Sequence, residues 1–107
     1  MIFRIFVDSH EQQINVPDEI LESAGDYFDM LDKDMDNGYQ MSRSWVATPD
    51  LHQRCQIVSD RILTAMESEN KQTATLMAAY ILKRVPKAYG MHINLEGDMT
   101  QFELETR

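Results

Sequence analysis

The chain has 107 residues, a formal net charge of −8 and an apolar fraction of 43%. This apolar fraction is ordinary for a globular protein and too high for a disordered one, and the length suits one domain, residues 1–107. The acidic balance argues against direct binding of nucleic acid, which requires clustered Lys and Arg side chains against the phosphates. We therefore expect a single folded, acidic domain.

The distribution of apolar residues and of cysteine bears on the cellular compartment. The longest apolar-dominated run, residues 74–82, is far shorter than a helix that spans a bilayer, and the first residues do not follow the basic–apolar–small pattern of a signal peptide. Cys55 is the only cysteine, so it cannot form an internal disulfide. We expect no membrane association and a cytoplasmic location, where thiols stay reduced.

Two stretches near the N-terminus alternate as strands do. Residues 1–7 are β-branched and aromatic, with Phe3 and Ile5 on the same face, and residues 12–16 alternate more weakly. Residues 8–10, which lie between them, have turn composition. The pattern predicts a β-hairpin.

A long amphipathic helix is predicted next. Pro17 suits the first helical position, and apolar residues then recur at helical spacing up to Asn37 and Gly38, which tolerate positive φ and end the helix. Residues 17–38 contain eight acidic residues and one lysine, a net charge of −7. Nearly all of the charge imbalance therefore lies on one predicted helix.

Two further helices are predicted in the second half of the chain. Thr48, Pro49 and Asp50 form a start signal in which Thr48 supplies the capping hydroxyl, and apolar residues at spacings of three and four follow over residues 51–65. A short polar loop leads to a third helix, residues 72–85, which is apolar nearly all round. Such a helix is either central to the fold or shared with a second subunit.

The C-terminal residues alternate again. Residues 91–95 and 100–105 flank a turn at residues 96–98, which predicts a second hairpin with one exposed face. Hairpins at both ends of three helices predict an α+β domain in the order ββαααββ. In this fold the N-terminal and C-terminal β-hairpins form an antiparallel sheet, and the three α-helices pack on one of its faces.

An acidic segment at the end of the first helix is similar to a calcium-binding loop. Asp32, Asp34 and Asp36 occupy positions one, three and five of a twelve-residue EF-hand loop, but Asn37 replaces the glycine and Arg43 replaces the bidentate glutamate. We interpret the segment as an acidic helix end, with Arg43 folded back onto Asp36 or Asp32 as a counter-ion. We expect no cofactor, and a Ca²⁺- or Mg²⁺-binding regulator that uses the three aspartates is an alternative.

One pair of residues could support nucleophilic chemistry. His52 and Cys55 are three residues apart on a predicted helix, while His10 and His92 are too remote in sequence to complete an obvious zinc site. Cys55 lies on the apolar seam, which predicts a buried, inert thiol. We therefore assign no catalytic residue, and a small enzyme with an unrecognised site is an alternative.

The connection between the first two predicted helices is rich in the residue types found in binding hot spots. The candidate partner-binding residues are Tyr39, Met41, Arg43 and Trp45 in this connection and Asp26, Asp29 and Asp36 on the acidic helix. The alternative for the aromatic side chains is that they cover one end of the core.

These observations favour a non-enzymatic protein–protein interaction or regulatory module that self-associates. The apolar surface of residues 72–85 is too broad for two helices and a small sheet to cover, so this helix is predicted to form a homodimer interface. The acidic helix is the candidate surface for a basic protein partner.

Overall fold

The computed structural model describes residues 1–94, 96 and 98–107. Within these residues the elements are β1 (Ile2–Val7), β2 (His10–Asn15), α1 (Asp18–Ser23), α2 (Gly25–Asp36), β3 (Tyr39–Met41), β4 (Ser44–Val46), α3 (Leu51–Glu67), α4 (Lys71–Arg84), β5 (Ala88–Ile93), a 3₁₀ turn (Met99–Gln101) and β6 (Glu103–Thr106). This arrangement confirms the α+β class and the hairpin–helices–hairpin order.

The main sheet is mixed rather than antiparallel. Its strand order is β2-β1-β5-β6, in which β1 pairs antiparallel with β2, β5 pairs antiparallel with β6, and β1 pairs parallel with β5. The predicted pairings within the hairpins, β1 with β2 and β5 with β6, form, but the strand limits differ from those predicted and the two hairpins join through parallel strands. Alternating polarity specifies which face a strand buries, but it does not specify the direction of the strand beside it.

The two faces of the sheet differ as the alternation predicts. Phe3 and Ile5 are fully buried on the face that the helices cover. On the other face, the Phe6 ring lies across Gly90 and stacks on His92, with the ring centroids 4.6 Å apart. An aromatic ring over a strand glycine covers backbone that would otherwise be exposed.

The first predicted helix is two helices, α1 and α2. Ala24, with φ −96° and ψ 20°, separates them, and Gly25 begins α2. The Ser23 hydroxyl donates to the Glu19 carbonyl oxygen at 2.6 Å, within α1. A serine that bonds its own helix backbone, followed within two residues by glycine, lowers helical propensity here, so the helix is interrupted at Ala24. The described part of the chain therefore has four helices where three were predicted.

The N-cap of helix α3 lies two residues later than predicted. Asp50, rather than Thr48, is the N-cap: its carboxylate accepts from the Gln53 N–H at 2.8 Å, and the Gln53 side-chain oxygen accepts from the Asp50 N–H at 2.9 Å. This reciprocal capping box requires a Glu or Gln three residues after the cap, and only Asp50 has one at that spacing.

Helix α4 is central to the fold. Most of its apolar side chains, including Met77, Ala78, Tyr80 and Ile81, are at most 5% exposed, because α3, α1 and the sheet pack around it, whereas Leu76 stays partly exposed. Most of the apolar surface of residues 72–85, from which a homodimer was predicted, is therefore covered within one chain. Self-association stays a prediction, and Leu76 is the apolar side chain of α4 that stays partly exposed.

The connection between α2 and α3 forms a second, two-stranded sheet that the sequence did not predict. β3 and β4 pair antiparallel, and Ser42, with φ +57°, lies in the turn between them. The Ser42 hydroxyl accepts a hydrogen bond from the Met99 N–H at 3.2 Å, which links this hairpin to the C-terminal segment.

The C-terminal segment differs from the predicted strand over residues 100–105. Thr100 lies in the 3₁₀ turn, and the buried Gln56 amide donates to the carbonyl oxygens of Thr100 (3.2 Å) and Phe102 (2.9 Å). These bonds hold the turn against α3, so β6 begins only afterwards. Leu95 and Gly97, which belonged to the predicted strand and turn, lie outside the described residues.

No helix in residues 1–94, 96 and 98–107 is long and apolar enough to cross a bilayer.

Candidate functional site

The Asp32 carboxylate on α2 is the centre of a hydrogen-bonded ion cluster. One of its oxygens, Oδ1, accepts bonds from Arg54 Nη1 at 3.1 Å and from the Tyr80 hydroxyl at 2.5 Å. The other, Oδ2, accepts from Arg84 Nε at 3.0 Å. Because Arg54 lies on α3 while Tyr80 and Arg84 lie on α4, this one carboxylate connects three helices.

Two flanking aspartates extend the cluster towards solvent. Asp29 accepts from Arg84 Nη2 at 3.0 Å, and Asp36 accepts from Arg54 Nη2 at 2.5 Å. Spacings of three and four residues place Asp29, Asp32 and Asp36 on the same face of α2. These three aspartates with Arg54 and Arg84 are hereafter called the aspartate–arginine cluster.

The surrounding backbone explains why the two arginines occupy these positions. Arg54 also donates to the carbonyl oxygens of Pro49 (2.9 Å) and Asp32 (3.2 Å), so it joins the start of α3 to the last turns of α2. Arg84 lies in the last turn of α4, where the helix dipole favours a cation, and its guanidinium lies 5.5 Å from the centroid of the Tyr80 ring.

Protonation within the cluster follows from these contacts. Burial by itself raises the pKa of Asp32, but the hydrogen bonds from Tyr80, Arg54 and Arg84 outweigh it and hold that pKa below its usual value. Burial and the bond to the Asp32 carboxylate raise the pKa of the Tyr80 hydroxyl. At neutral pH Asp32 is therefore a charged acceptor and Tyr80 a neutral donor, so neither group is suited to exchange protons with a substrate.

The predicted pairing of Arg43 with Asp36 or Asp32 is wrong. Those carboxylates pair with Arg54 and Arg84 instead. The chain turns into the β3–β4 hairpin after Gly38 and carries Arg43 to Asp98, whose pKa is lowered by hydrogen bonds from Thr100 and, to a smaller extent, by the Arg43 charge. Residues far apart in sequence supply the counter-ions that a nearby arginine was expected to provide.

The three candidate metal ligands do not converge. Both oxygens of Asp32 already accept hydrogen bonds, and Asp34 is exposed on another side of α2. Among the described residues, no group of three or more His, Cys, Asp and Glu side chains is placed to hold a metal ion.

The aromatic candidates in the connection have different surroundings. Trp45 is 62% exposed, and its indole ring lies across Gly38, where an added Cβ would come within 2.5 Å of the ring. Tyr39 is half-buried with the Arg61 guanidinium 5.4 Å from its ring centroid, and Met41 is only 1% exposed. Of these three side chains, Trp45 alone offers a large free surface.

The charged candidates are accessible, although two of them already have partners. Asp26 and Arg43 are exposed. Asp29 and Asp36 keep 76% and 61% of their side-chain surface exposed while they pair with Arg84 and Arg54. A partner cation could therefore reach all three aspartates from solvent.

A shallow cleft of about 360 Å³ lies beside the aspartate–arginine cluster. Asp32, Arg54, Arg84, Pro49 and Leu51 line it. Leu51 is 46% exposed and adds apolar surface next to the charged groups.

Cys55 is fully buried in the core, as the apolar seam predicts. Burial, together with the nearby Asp32 charge, raises the pKa of the Cys55 thiol to about 12. The thiol is therefore protonated at neutral pH, and a neutral, enclosed thiol is a poor nucleophile. His52 is exposed three residues earlier, and His92 lies on the open face of the sheet, where it contacts Glu105 at 2.8 Å.

Sequence reasoning missed three residues that organise this region, Arg54, Tyr80 and Arg84. It also placed Leu51 on the apolar seam of α3, whereas Leu51 is 46% exposed. The signal that could have identified the arginines is the row of aspartates at spacings of three and four, because a partly buried carboxylate row requires cations from a neighbouring helix. Arg84, at the end of the most apolar helix, was the obvious donor. Nothing in the sequence indicates that Tyr80 also donates a hydrogen bond to Asp32.

Comparisons with known protein families, with curated proteins and with solved structures find no match to this chain.

Proposed function

We propose that this chain is a non-catalytic protein-interaction module that binds a basic segment of another protein. The surface that would bind it consists of Asp26, Asp29, Asp36, Trp45 and Leu51, hereafter the acidic–tryptophan surface. The observation that carries the proposal is the exposure of Trp45, 62%, at the end of the most acidic helical segment of the chain.

The charge of this region supports a basic partner. Residues 17–38 contain eight acidic side chains, and Lys33, Arg54, Arg84 and the N-terminal amine offset four of them, so about four negative charges remain after the internal pairing is counted. A surface potential of this sign accelerates association with a cationic partner and rejects anionic ones.

The apolar residues would supply the close contact that charge alone lacks. A tryptophan ring accepts an arginine or lysine cation over its face, and the interaction contributes about 0.5–2 kcal/mol. Leu51 offers a second apolar contact at the cleft beside Asp32. The partner chemistry that fits is a Lys/Arg-rich segment with interspersed apolar side chains.

A non-catalytic role is consistent with the protonation states at the site. The Asp32 carboxylate is stabilised in its charged form, which weakens it as a base, and the Cys55 thiol is protonated and enclosed. We further propose a cytoplasmic location, because the only cysteine is a free, buried thiol.

The test is calorimetric titration of a Lys/Arg-rich peptide into the wild-type chain, into two lysine variants of equal charge and into Trp45→Ala. Asp26→Lys changes the acidic–tryptophan surface, and Glu103→Lys makes the same charge change at an exposed position on β6. We expect Asp26→Lys and Trp45→Ala to weaken binding about tenfold each, whereas Glu103→Lys has little effect. Equal weakening by both lysine variants would show non-specific charge attraction and would contradict the proposal.

A further inference from the structure

Strand β2 is an open edge of the main sheet, with β1 as its neighbour in the described part of the chain. Met1 and Val16 exchange two backbone hydrogen bonds, both of 2.7 Å, which sets the phase of the antiparallel ladder. In such a ladder every second residue directs its N–H and C=O away from the partner strand. On β2 those residues are Glu11, Gln13 and Asn15.

The other edge of the sheet is protected, and β2 is not. β6 has only four residues, two of them glutamates, and its pairing with β5 shifts register between Ala88 and Gly90. Short length, charge and bulges are the devices by which natural sheets prevent edge pairing. β2 has six residues in unbroken register with β1 and contains neither lysine nor proline.

The charge at this edge identifies the occupant that fits it. The chain carries −8, so two copies repel each other except where their surfaces are nearly neutral. Glu11 is the one formally charged residue of β2, and its carboxylate accepts from Arg4 Nη1 at 3.0 Å. A groove of about 700 Å³ lies beside β2, and the charged residues that line it are one acid, Glu69, and one base, Lys71. A basic partner gains nothing here, whereas a second copy meets no repulsion.

We propose that β2 pairs antiparallel with the β2 strand of a second copy of this chain. The register that uses all six outward backbone groups is centred on Gln13, which then faces Gln13 of the other copy, while Glu11 faces Asn15. This register keeps like charges apart and leaves Ile14 on the face that the helices cover. The result is one continuous sheet across the dimer, formed without α4 and without the acidic–tryptophan surface.

The test measures association and its location together. Sedimentation velocity from micromolar to millimolar concentration gives the oligomeric state, and amide hydrogen exchange over the same range gives the interface. We expect a dimer in which the Glu11, Gln13 and Asn15 amides exchange more slowly as the concentration rises. A chain that stays monomeric over this range would overturn the proposal, and so would a dimer that leaves these three amides unprotected.

Two variants at Gln13 and one control complete the experiment. Gln13→Lys places like charges opposite each other at the two-fold axis, and Gln13→Pro removes an outward N–H that β1 does not use, so each should abolish the dimer. Thr106→Lys adds the same charge at the protected edge and should leave the dimer intact. Persistence of the dimer in Gln13→Lys would place the interface elsewhere, and Trp45→Ala, which tests peptide binding, should not change association.

Discussion

The Tyr80 hydroxyl on α4 donates a hydrogen bond to the Asp32 carboxylate on α2, although 48 positions separate the two residues in the chain. The Tyr80 ring is fully buried against Phe28, and its hydroxyl reaches the partly exposed carboxylate at the surface. This pair links the apolar core to the aspartate–arginine cluster, so the stability of the helical layer and the charge of the candidate surface depend on the same residue.

Replacing Asp32 with asparagine should destabilise the fold. The variant removes the charge that Arg54 and Arg84 share and leaves their guanidinium groups partly unpaired, so we expect a loss of about 1–3 kcal/mol in the free energy of unfolding. Urea denaturation at neutral pH measures it. Asp34→Asn is the matched control, because Asp34 is exposed on another side of α2. It should change the stability by less than about 0.5 kcal/mol. Equal effects would show that the cluster is not a structural link.

The contribution of Asp32 should disappear in acid. Its folded-state pKa is lowered, so the folded chain binds this proton less readily than the unfolded chain does. The stabilisation is therefore complete above the unfolded pKa of about 3.9 and is lost as the pH falls through the folded value. The difference in unfolding free energy between the wild type and Asp32→Asn should shrink as urea titrations move below that pH. A difference that stays constant would contradict the assigned protonation.

Two glycine positions should respond oppositely to alanine. At Gly25 an added Cβ meets no heavy atom within 4 Å, so Gly25→Ala should stabilise the start of α2 by about 0.4–1 kcal/mol through the unfolded state. At Gly90 the Cβ would lie 2.7 Å from the Arg4 carbonyl oxygen and 2.8 Å from the Phe6 ring, so Gly90→Ala should destabilise by about 1–3 kcal/mol. Thermal melting of the two variants measures whether each change in stability has the expected sign. A stabilised Gly90→Ala would show that β1 and β5 are not so closely paired.

The Ser59 hydroxyl is an unsatisfied polar group in the core. Ser59 is 0% exposed, and its Oγ has no hydrogen-bond partner in the described part of the chain. Ser59→Ala should therefore raise the unfolding free energy by about 1 kcal/mol, because the desolvation cost of the hydroxyl is removed. Ser68→Ala is the control, since Ser68 Oγ donates to the Thr64 carbonyl oxygen at 3.0 Å and its loss should not stabilise. Chemical denaturation distinguishes the two.

The parts of the fold that could be predicted depend on local periodicity. Alternation in residues 1–7 placed Phe3 and Ile5 on the same face, which the structure shows to be the buried one, and helical spacing correctly placed Cys55 and Ile62 on the buried side of α3. Where local signals compete, the prediction failed: Ser23 and Gly25 break a helix whose apolar stripe is continuous. An apolar stripe indicates which side of a helix is buried, and it does not indicate whether the helix is continuous.

The candidate site was predictable only in part. The acidic row on α2 and the presence of Trp45 are visible in the sequence, but the exposure of Trp45 and the burial of Met41, four residues before it, are not. Both residues lie in the short β3–β4 hairpin, and the elements packed against this hairpin decide which of its side chains are buried. For the same reason Arg43 was a reasonable counter-ion by proximity in sequence and was nevertheless wrong.

By itself the sequence determined the acidic charge of residues 17–38, the two terminal hairpins and the helical middle, because each of these follows from composition or from a period of two or 3.6 residues. Tertiary structure decided the parallel pairing of β1 with β5, the covering of α4 within one chain and the assembly of Asp32 with Tyr80, Arg54 and Arg84. The hydrogen bonds to Asp32 join residues that are 22 to 52 positions apart in the chain, and no local sequence pattern specifies such partners. They depend on how the helices pack, and packing is a property of the whole chain.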